Sequence, residues 1–305
     1  MADTAALLDD LRAEGDELDA LVAGLDPAQW ARPTPAVGWT IAHQIAHLTW
    51  TDARASEAAS APEVFAREVE KAAAAPERFV DEGAAAGALE PPATLLARWR
   101  AGRAALGELL ATRPEGAKLP WYGPPMGVAS MATARLMETW AHGQDVADAL
   151  GVRRTPTARL RHIAHIGVRA RDYAYAINQL SPPTEEFRVE LTAPDGALWT
   201  YGPPEASQRV SGPALDFCLL VTQRAHRDDL ALRVDGGEAR RWLGIAQAFA
   251  GPPGAGRPAG SLAGAAVAAA HGAGPGAHAA VAPAVDGVTA VDAGRCRTKR
   301  RGGGA

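Results

Sequence analysis

Two stretches of this chain decide its fold: TIAHQIAHLTWTDARASEAA at residues 40–59 and SMATARLMETWAHGQDVADALG at residues 130–151. Apolar residues recur every three or four positions in both stretches, which predicts two amphipathic helices. Thr40 is a suitable N-cap for the first helix, because its side chain can satisfy free amides of the first turn. Gly151 is placed to end the second helix, since glycine adopts the left-handed conformation at helix C-termini.

Further helical segments accompany these two. Leucines recur at helical spacing over about residues 4–25, Pro91-Pro92 opens another amphipathic stretch, and a fifth such stretch follows Gly151. Helices with one apolar side, joined by loops, pack most simply as a bundle. The pattern therefore predicts a mainly α protein, with a four-helix bundle over residues 1–155 and a connecting helix over residues 156–182.

The pattern changes after the connecting helix. Apolar and polar residues alternate on both sides of Asp195-Gly196, which is typical of a β-hairpin. A helix, a strand and another helix follow, so we predict a small α+β domain over residues 183–258. Glycine, alanine and proline then dominate without a periodic apolar face, which predicts a disordered tail over residues 259–305. A shift of reading frame in the gene would give the same composition.

Composition limits the class of protein. Hydrophobic residues make up 47% of the chain, which is enough for a folded core, and the net charge of −4 disfavours nucleic acid as a partner. The sequence contains no uncharged apolar run of about 18 residues that would cross a membrane. Cys218 and Cys296 are too few for a disulfide scaffold. We therefore expect a cytoplasmic protein without nucleic-acid or membrane partners.

The residues with the clearest chemical potential are Glu138 and His142. They stand four positions apart, so one helix face would carry both, about 5–6 Å apart at Cβ. A histidine from a neighbouring helix would add a third metal ligand and leave a fourth position open, as in catalytic zinc sites. His43 and His47 share the same spacing on the first stretch, and the pattern does not decide which of them would bind.

A simpler interpretation of this helix face is also available. Arg135, Glu138, His142 and Asp145 lie opposite the apolar stripe of their helix, so they could form an ordinary solvated face. Asp145 would then be a surface charge. If the face is instead a metal site, Asp145 could accept a hydrogen bond from His142 and orient it.

A family resemblance supports the metal site. The features that carry it are the opening amphipathic helix, the segment GWTIAHQIAHLTWTD and the segment ETWAHGQDVADALG. Through these, residues 1–151 resemble the N-terminal domain of mycothiol-dependent maleylpyruvate isomerase, one of the DinB-like metal-binding bundles. FRVELTAPDGALWTYGP and SGPALDFCLLVTQR extend the similarity, so the chain over about residues 3–258 resembles an uncharacterised actinobacterial subgroup of that superfamily.

The resemblance implies a ligand set and cofactors. By position, His47, Glu138 and His142 would bind a divalent metal, with zinc favoured because imidazole and carboxylate suit it. His43 would then either orient His47 or a bound water, or simply pack. The resemblance also implies a low-molecular-weight thiol such as mycothiol and a small-molecule substrate as partners.

The expected function is metal-dependent, thiol-dependent isomerisation or transfer on a small electrophile. Arg224 or Arg227 could bind an anionic substrate, or could be solvated arginines stabilised by the dipole of the preceding helix. Two alternatives stay open: a non-enzymatic metal-binding or ligand-sensing module, and a purely structural metal. A closed four-ligand shell that includes His43 would indicate a structural metal, whereas an open fourth position would indicate catalysis.

Overall fold

The computed structural model describes residues 4–76, 78–114, 116–254 and 256–261. The predicted disordered tail, residues 259–305, therefore lies outside the described residues except for its first three positions. No helix in the described part of the chain is both long enough and apolar enough to cross a membrane.

The N-terminal half of the described chain is a bundle of long helices, which confirms the predicted architecture. The long helices are α1 (Thr4–Val22), α3 (Ile41–Ser60), α6 (Pro92–Ala111) and α7 (Val128–Leu150). Shorter helices connect them, namely α2 (Pro27–Trp30), α4 (Pro62–Ala74) and α5 (Phe79–Ala88). A short ribbon, β1 (Lys118–Leu119) with β2 (Met126–Gly127), precedes α7. Helix α3 packs against α5, α6 and α7, and α1 packs against α6 and α7.

Local sequence signals set the ends of α3 and α7. The backbone N–H of Thr40 donates to Nδ1 of His43 at 3.3 Å, and Oγ1 of Thr40 lies 2.8 Å from the same nitrogen. The side chain of His43 therefore closes the first turn of α3 onto its N-cap. Gly151 ends α7 with a φ of +70°, a conformation that glycine adopts without steric cost.

The C-terminal half is the predicted small α+β domain. Its strands are β3 (Phe187–Thr192), β4 (Leu198–Tyr201), β5 (Gln208–Pro213) and β6 (Arg233–Asp235), and its helices are α10 (Ala214–Val221) and α11 (Gly237–Leu243). The sheet order is β4-β3-β5-β6, with β3 antiparallel to β4 and parallel to β5. Strand β5 escaped prediction because Val210 is its one buried residue, so its sequence shows no alternation.

Two helical predictions need correction. The predicted four-helix bundle has two further helices, α4 and α5, between α3 and α6. The predicted connecting helix is divided at Ala170 into α8 (Leu160–Arg169) and α9 (Arg171–Ile177). The two halves pack on different partners, α8 on α7 and α10 but α9 on α11, so one straight helix would not serve both.

The apolar core is continuous between the two halves of the chain. One cluster of buried side chains includes Leu136 of α7, Ile163 of α8, Phe217 of α10 and Trp242 of α11. A second cluster fills the space among α1, α3 and α6. Helix α8 thus joins the bundle to the sheet, and the unit boundaries at residues 155, 182 and 258 remain predictions.

The segment that follows Gly251 returns to the bundle, although its composition gives no sign of it. Nη1 of Arg257 donates to Asp148 at 2.5 Å and its Nη2 donates to Asp145 at 2.6 Å, both on α7. The backbone N–H of Gly260 donates to Oδ1 of Asp229 at 2.7 Å. Residues 256–261 are therefore attached to both halves of the protein.

Candidate metal centre

The middle of α3 and the middle of α7 bring three side chains together. Nε2 of His47 lies 3.4 Å from Oε2 of Glu138, and Nε2 of His142 lies 3.1 Å from the same oxygen. The ring centroids of His47 and His142 are 4.4 Å apart. Potential ligand atoms of the three residues all lie within 4.8 Å of one another, and this is the one such group among the residues that the structure describes.

This side of α7 is buried, so the interpretation as a solvated face is wrong. Arg135 is 3% exposed, His142 is 6% exposed and Asp145 is 3% exposed. The reason is that α7 packs on α1 at one side and on α3 at the other, so both of its faces lie inside the protein. The Glu138 side chain retains 20% exposure and is the most accessible member of the group.

The electrostatic environment gives the three residues different charges. Burial, reinforced by the neighbouring imidazole of His142, lowers the pKa of His47 to about 4, so the His47 imidazole is neutral at physiological pH. Burial alone would raise the pKa of Glu138, but hydrogen bonds with His142 and His47 outweigh it and hold that pKa well below its usual range. The site therefore combines an ionised carboxylate with a neutral imidazole, which is a donor set for a cation.

The donor chemistry fits a divalent metal. Two imidazole nitrogens converge on one carboxylate oxygen, and such a cluster needs positive charge between its lone pairs, either as protons or as one cation. Two nitrogen ligands and one oxygen ligand suit zinc and several other divalent ions.

Aromatic rings enclose the group. The Trp39 ring centroid lies 5.3 Å from that of His47 and 6.0 Å from that of His142, nearly parallel to the latter. Trp50 lies 6.2 Å from His47. Nε1 of Trp39 donates to Asp81 of α5 at 3.1 Å, so α5 helps to hold the aromatic wall in place.

The remaining predicted site residues lie elsewhere. Nδ1 of His43 faces Thr40 at the start of α3, and His43 is not part of the three-residue group. Oδ1 and Oδ2 of Asp145 accept hydrogen bonds from Arg257 and Arg224, at 2.6 and 2.8 Å. The prediction that Asp145 orients His142 therefore needs correction.

Arg224 does not have the environment that was predicted for it. Its Nη2 donates to Asp145, its Nη1 donates to the Thr222 carbonyl at 2.7 Å, and its side chain is 13% exposed. It is neither a solvated helix-end arginine nor a guanidinium held ready for a substrate anion, because Asp145 already neutralises it. Arg227, the other candidate, donates to the Arg240 carbonyl at 3.3 Å.

Sequence reasoning missed Gln44, the residue that does contact His142. Oε1 of Gln44 lies 2.5 Å from Nδ1 of His142. Periodicity does not single out Gln44, because it continues neither the apolar spacing of Ile41 and Ile45 nor the spacing of His43 and His47. Its one sequence signal is its position three residues before His47, which places both on the same side of α3.

A buried ion pair beside the group was also missed. Nε of Arg135 donates to Oδ1 of Asp52 at 2.9 Å, and its Nη2 donates to Oγ1 of Thr51 at 2.6 Å. The positive charge of Arg135 also contributes to the low pKa of His47. Cys218, by contrast, is fully buried, and burial raises the pKa of its thiol, so it is not an activated nucleophile.

Two family models match parts of this chain. A family model described as the mycothiol maleylpyruvate isomerase N-terminal domain matches residues 11–147, which contain the whole three-residue group. A second model, described as wyosine base formation, matches residues 183–233 of the small domain.

Individual proteins extend the similarity. Uncharacterized proteins of Mycobacterium tuberculosis, from strains CDC 1551 / Oshkosh and ATCC 25618 / H37Rv, are 59% identical over 257 residues, which is 84% of this chain and 100% of theirs. A crystal structure of the mycothiol-dependent maleylpyruvate isomerase aligns with a TM-score of 0.51 at 18% identity, covering 73% of this chain and 90% of that one. A histidine-to-alanine mutant of the enzyme gives 0.52 at 17% identity, covering 75% and 92%. At these identities the solved structures show a shared fold.

Proposed function

We propose that this chain is a divalent-metal-binding enzyme of the mycothiol-dependent maleylpyruvate isomerase family, on the premise that its residues 11–147 match the model of that family's N-terminal domain. It uses a low-molecular-weight thiol, mycothiol, for isomerisation or thiol transfer on a small electrophilic substrate. The observation that carries the proposal is the convergence of His47, Glu138 and His142 within 4.8 Å.

The chain's own residues would hold the cation and shape its surroundings. His47 and His142 offer nitrogen ligands, and Glu138 offers the negative charge. A divalent cation held there would supply a Lewis acid that lowers the pKa of a thiol and so provides a nucleophile at neutral pH. Trp39 and Trp50 keep bulk water from the imidazoles, and the 20% exposure of Glu138 marks the side from which small molecules approach.

Several finer points are part of the same proposal. Zinc is our preferred ion, because two imidazoles and one carboxylate with an open position match catalytic zinc sites. The net charge of −4 favours small molecules over nucleic acid as the ligands of this protein, which we place in the cytoplasm. A substrate anion would need a group other than Arg224, whose charge is already paired with Asp145.

One observation favours a second candidate, a metal with a structural role. His47 and His142 are 5% and 6% exposed, and they join the two helices that form the centre of the bundle. A cation between them would tie α3 to α7 whether or not a substrate has access. The non-enzymatic alternative requires the same metal but no reaction.

Elemental analysis of the purified protein, followed by calorimetric titration with mycothiol and with glutathione, tests the proposal. We expect a divalent metal in the protein and heat of binding with mycothiol only when that metal is present. Metal without binding of either thiol would support the structural role. Absence of any metal after reconstitution would refute both.

A further inference from the structure

Gln44 is the most deeply enclosed polar side chain that touches the metal centre. It lies in α3, three residues before His47, and has no solvent-exposed surface. Its Oε1 lies 2.5 Å from Nδ1 of His142, and its Nε2 donates to Oγ1 of Thr34 at 2.9 Å. The side chain thus connects the loop before α3 to a candidate metal ligand on α7.

The loop before α3 holds Thr34 in a fixed position. The backbone N–H of Thr34 donates to the Trp39 carbonyl at 2.8 Å, and the N–H of Ile41 donates to the Arg32 carbonyl at 3.1 Å. Gly38 has a φ of +78°, which allows the tight reversal between these bonds. The Thr34 hydroxyl is therefore presented to Gln44 by backbone structure.

The direction of each hydrogen bond between Thr34, Gln44 and His142 follows from counting the available protons. A hydroxyl has one proton, and Oγ1 of Thr34 donates it to the Trp39 carbonyl at 2.9 Å. The hydroxyl oxygen can then only accept from Gln44, so Gln44 turns its amide NH₂ toward Thr34 and its carbonyl oxygen toward His142. Nδ1 of His142 must consequently carry a proton. In the neutral form of His142 this is the one ring proton, so Nε2, the atom that faces Glu138, then has a lone pair for a cation.

We propose that Gln44 is a positioning residue that holds His142 in the tautomer whose Nε2 can bind the cation. The inference rests on the proposed metal centre. The contact with Gln44 distinguishes the two histidines: Nδ1 of His142 has a hydrogen-bond partner, whereas Nδ1 of His47 is buried without one in the described structure. His142 is thus the ligand whose orientation is set in advance, and outer partners of this kind strengthen metal binding.

The first test is metal affinity, measured with Co²⁺ by its absorption spectrum and with Zn²⁺ by chelator competition. Gln44→Leu should weaken binding about 10- to 100-fold, the usual cost of removing such a partner. Gln44→Glu, which keeps an acceptor for the Nδ1 proton, should recover most of the affinity. Thr49→Val is the matched control, because Thr49 is buried on the same helix and its hydroxyl bonds only its own helix, at Ile45.

The second test is the tautomer itself, observed by long-range ¹H–¹⁵N spectra of the metal-free protein at mildly alkaline pH. Wild-type His142 should be protonated at Nδ1, and Gln44→Leu should shift the proton toward Nε2. Should Gln44→Leu fail to fold, Thr34→Val should produce a smaller shift of the same kind, and Thr34→Ser should abolish it by restoring the hydroxyl.

The outcomes separate this inference from the proposed function. A wild-type protein with the expected tautomer but no affinity for either ion would refute the metal centre, and with it the role given to Gln44. Normal metal binding with equal affinity in Gln44→Leu, or a loss that Gln44→Glu does not reverse, would overturn the role of Gln44 alone. An Nε2-protonated His142 in the wild type would overturn it as well.

Discussion

Helix α7 carries the partly exposed Glu138 and the buried Asp145 two turns apart, and the surroundings of these two acidic residues differ. Each carboxylate oxygen of Asp145 accepts a hydrogen bond from a guanidinium group, of Arg224 or of Arg257. The contacting oxygen of Glu138 faces two imidazole nitrogens instead. One helix thus presents the same kind of charge in two settings.

The difference lies in how each charge is balanced. At the Asp145 cluster, which consists of Asp145, Asp148, Arg224 and Arg257, two carboxylates meet two guanidinium groups, so the chain neutralises itself. At Glu138 the neighbouring His47 is neutral, because its pKa is about 4. Arg135 is close enough to affect His47 but bonds to Asp52 and Thr51. The negative charge of Glu138 is therefore available to a bound cation, whereas that of Asp145 is not.

The largest expected effect is loss of metal from variants of the three-residue group. His142→Ala and His47→Ala should each reduce the metal content of the purified protein from about one equivalent to near zero, because two ligands do not retain zinc well. The helical circular dichroism should stay unchanged. Elemental analysis and circular dichroism measure both.

His43→Ala is the matched control for that prediction. His43 lies one turn before His47 on α3, and its Nδ1 faces Thr40. We expect this variant to keep its metal. Retention in His47→Ala together with loss in His43→Ala would show that α3 presents the other histidine and that the described convergence is not the binding site.

The next prediction concerns the stability of the metal-free protein, to which Asp145 should contribute more than Glu138. Asp145→Asn should destabilise the metal-free protein by about 3–5 kcal/mol, because it leaves buried guanidinium groups without their partner. Glu138→Gln should destabilise the metal-free protein less than Asp145→Asn, since the charge that it removes has no guanidinium partner among its described contacts. Urea unfolding measures both values.

Metal content gives the complementary result for the same two variants. Asp145→Asn should still bind metal, whereas Glu138→Gln should not. If the two substitutions destabilised the metal-free protein equally, the Glu138 charge would have to be balanced from within the chain, and the contrast between the sites would fail.

The sequence predicts what depends on position within one helix. Glu138 and His142 share a face because four residues make about one helical turn. Thr40 and Gly151 mark helix ends because the local chemistry of each residue is enough to set a helix boundary. These features do not depend on what the helix packs against.

The sequence does not predict what depends on how two helices are rotated against each other. His43 and His47 have equivalent spacing, and the family resemblance rather than periodicity favoured His47. The rule that polar faces are solvated failed for α7, because that helix is buried on both sides. The partner of Arg224 could not be predicted either, since Asp145 lies 79 residues away in sequence.

The smallest effect concerns the C-terminal segment and tests how the Asp145 cluster is completed. Deleting residues 259–305 should change the melting temperature little, because Arg257 remains and only the exposed hydrogen bond from Gly260 to Asp229 is lost. Deleting residues 256–305 should cost about 1.5–3 kcal/mol, the usual value for hydrogen bonds to charged groups, and lower the melting temperature by several degrees. Arg257→Ala in the full chain is the control and should reproduce the second loss but not exceed it. Equal melting temperatures for the two truncations would mean that Arg224 alone balances the charge of Asp145. That charge would then be less completely neutralised by the chain than the contacts of Arg257 suggest, and the contrast with Glu138 would be weaker.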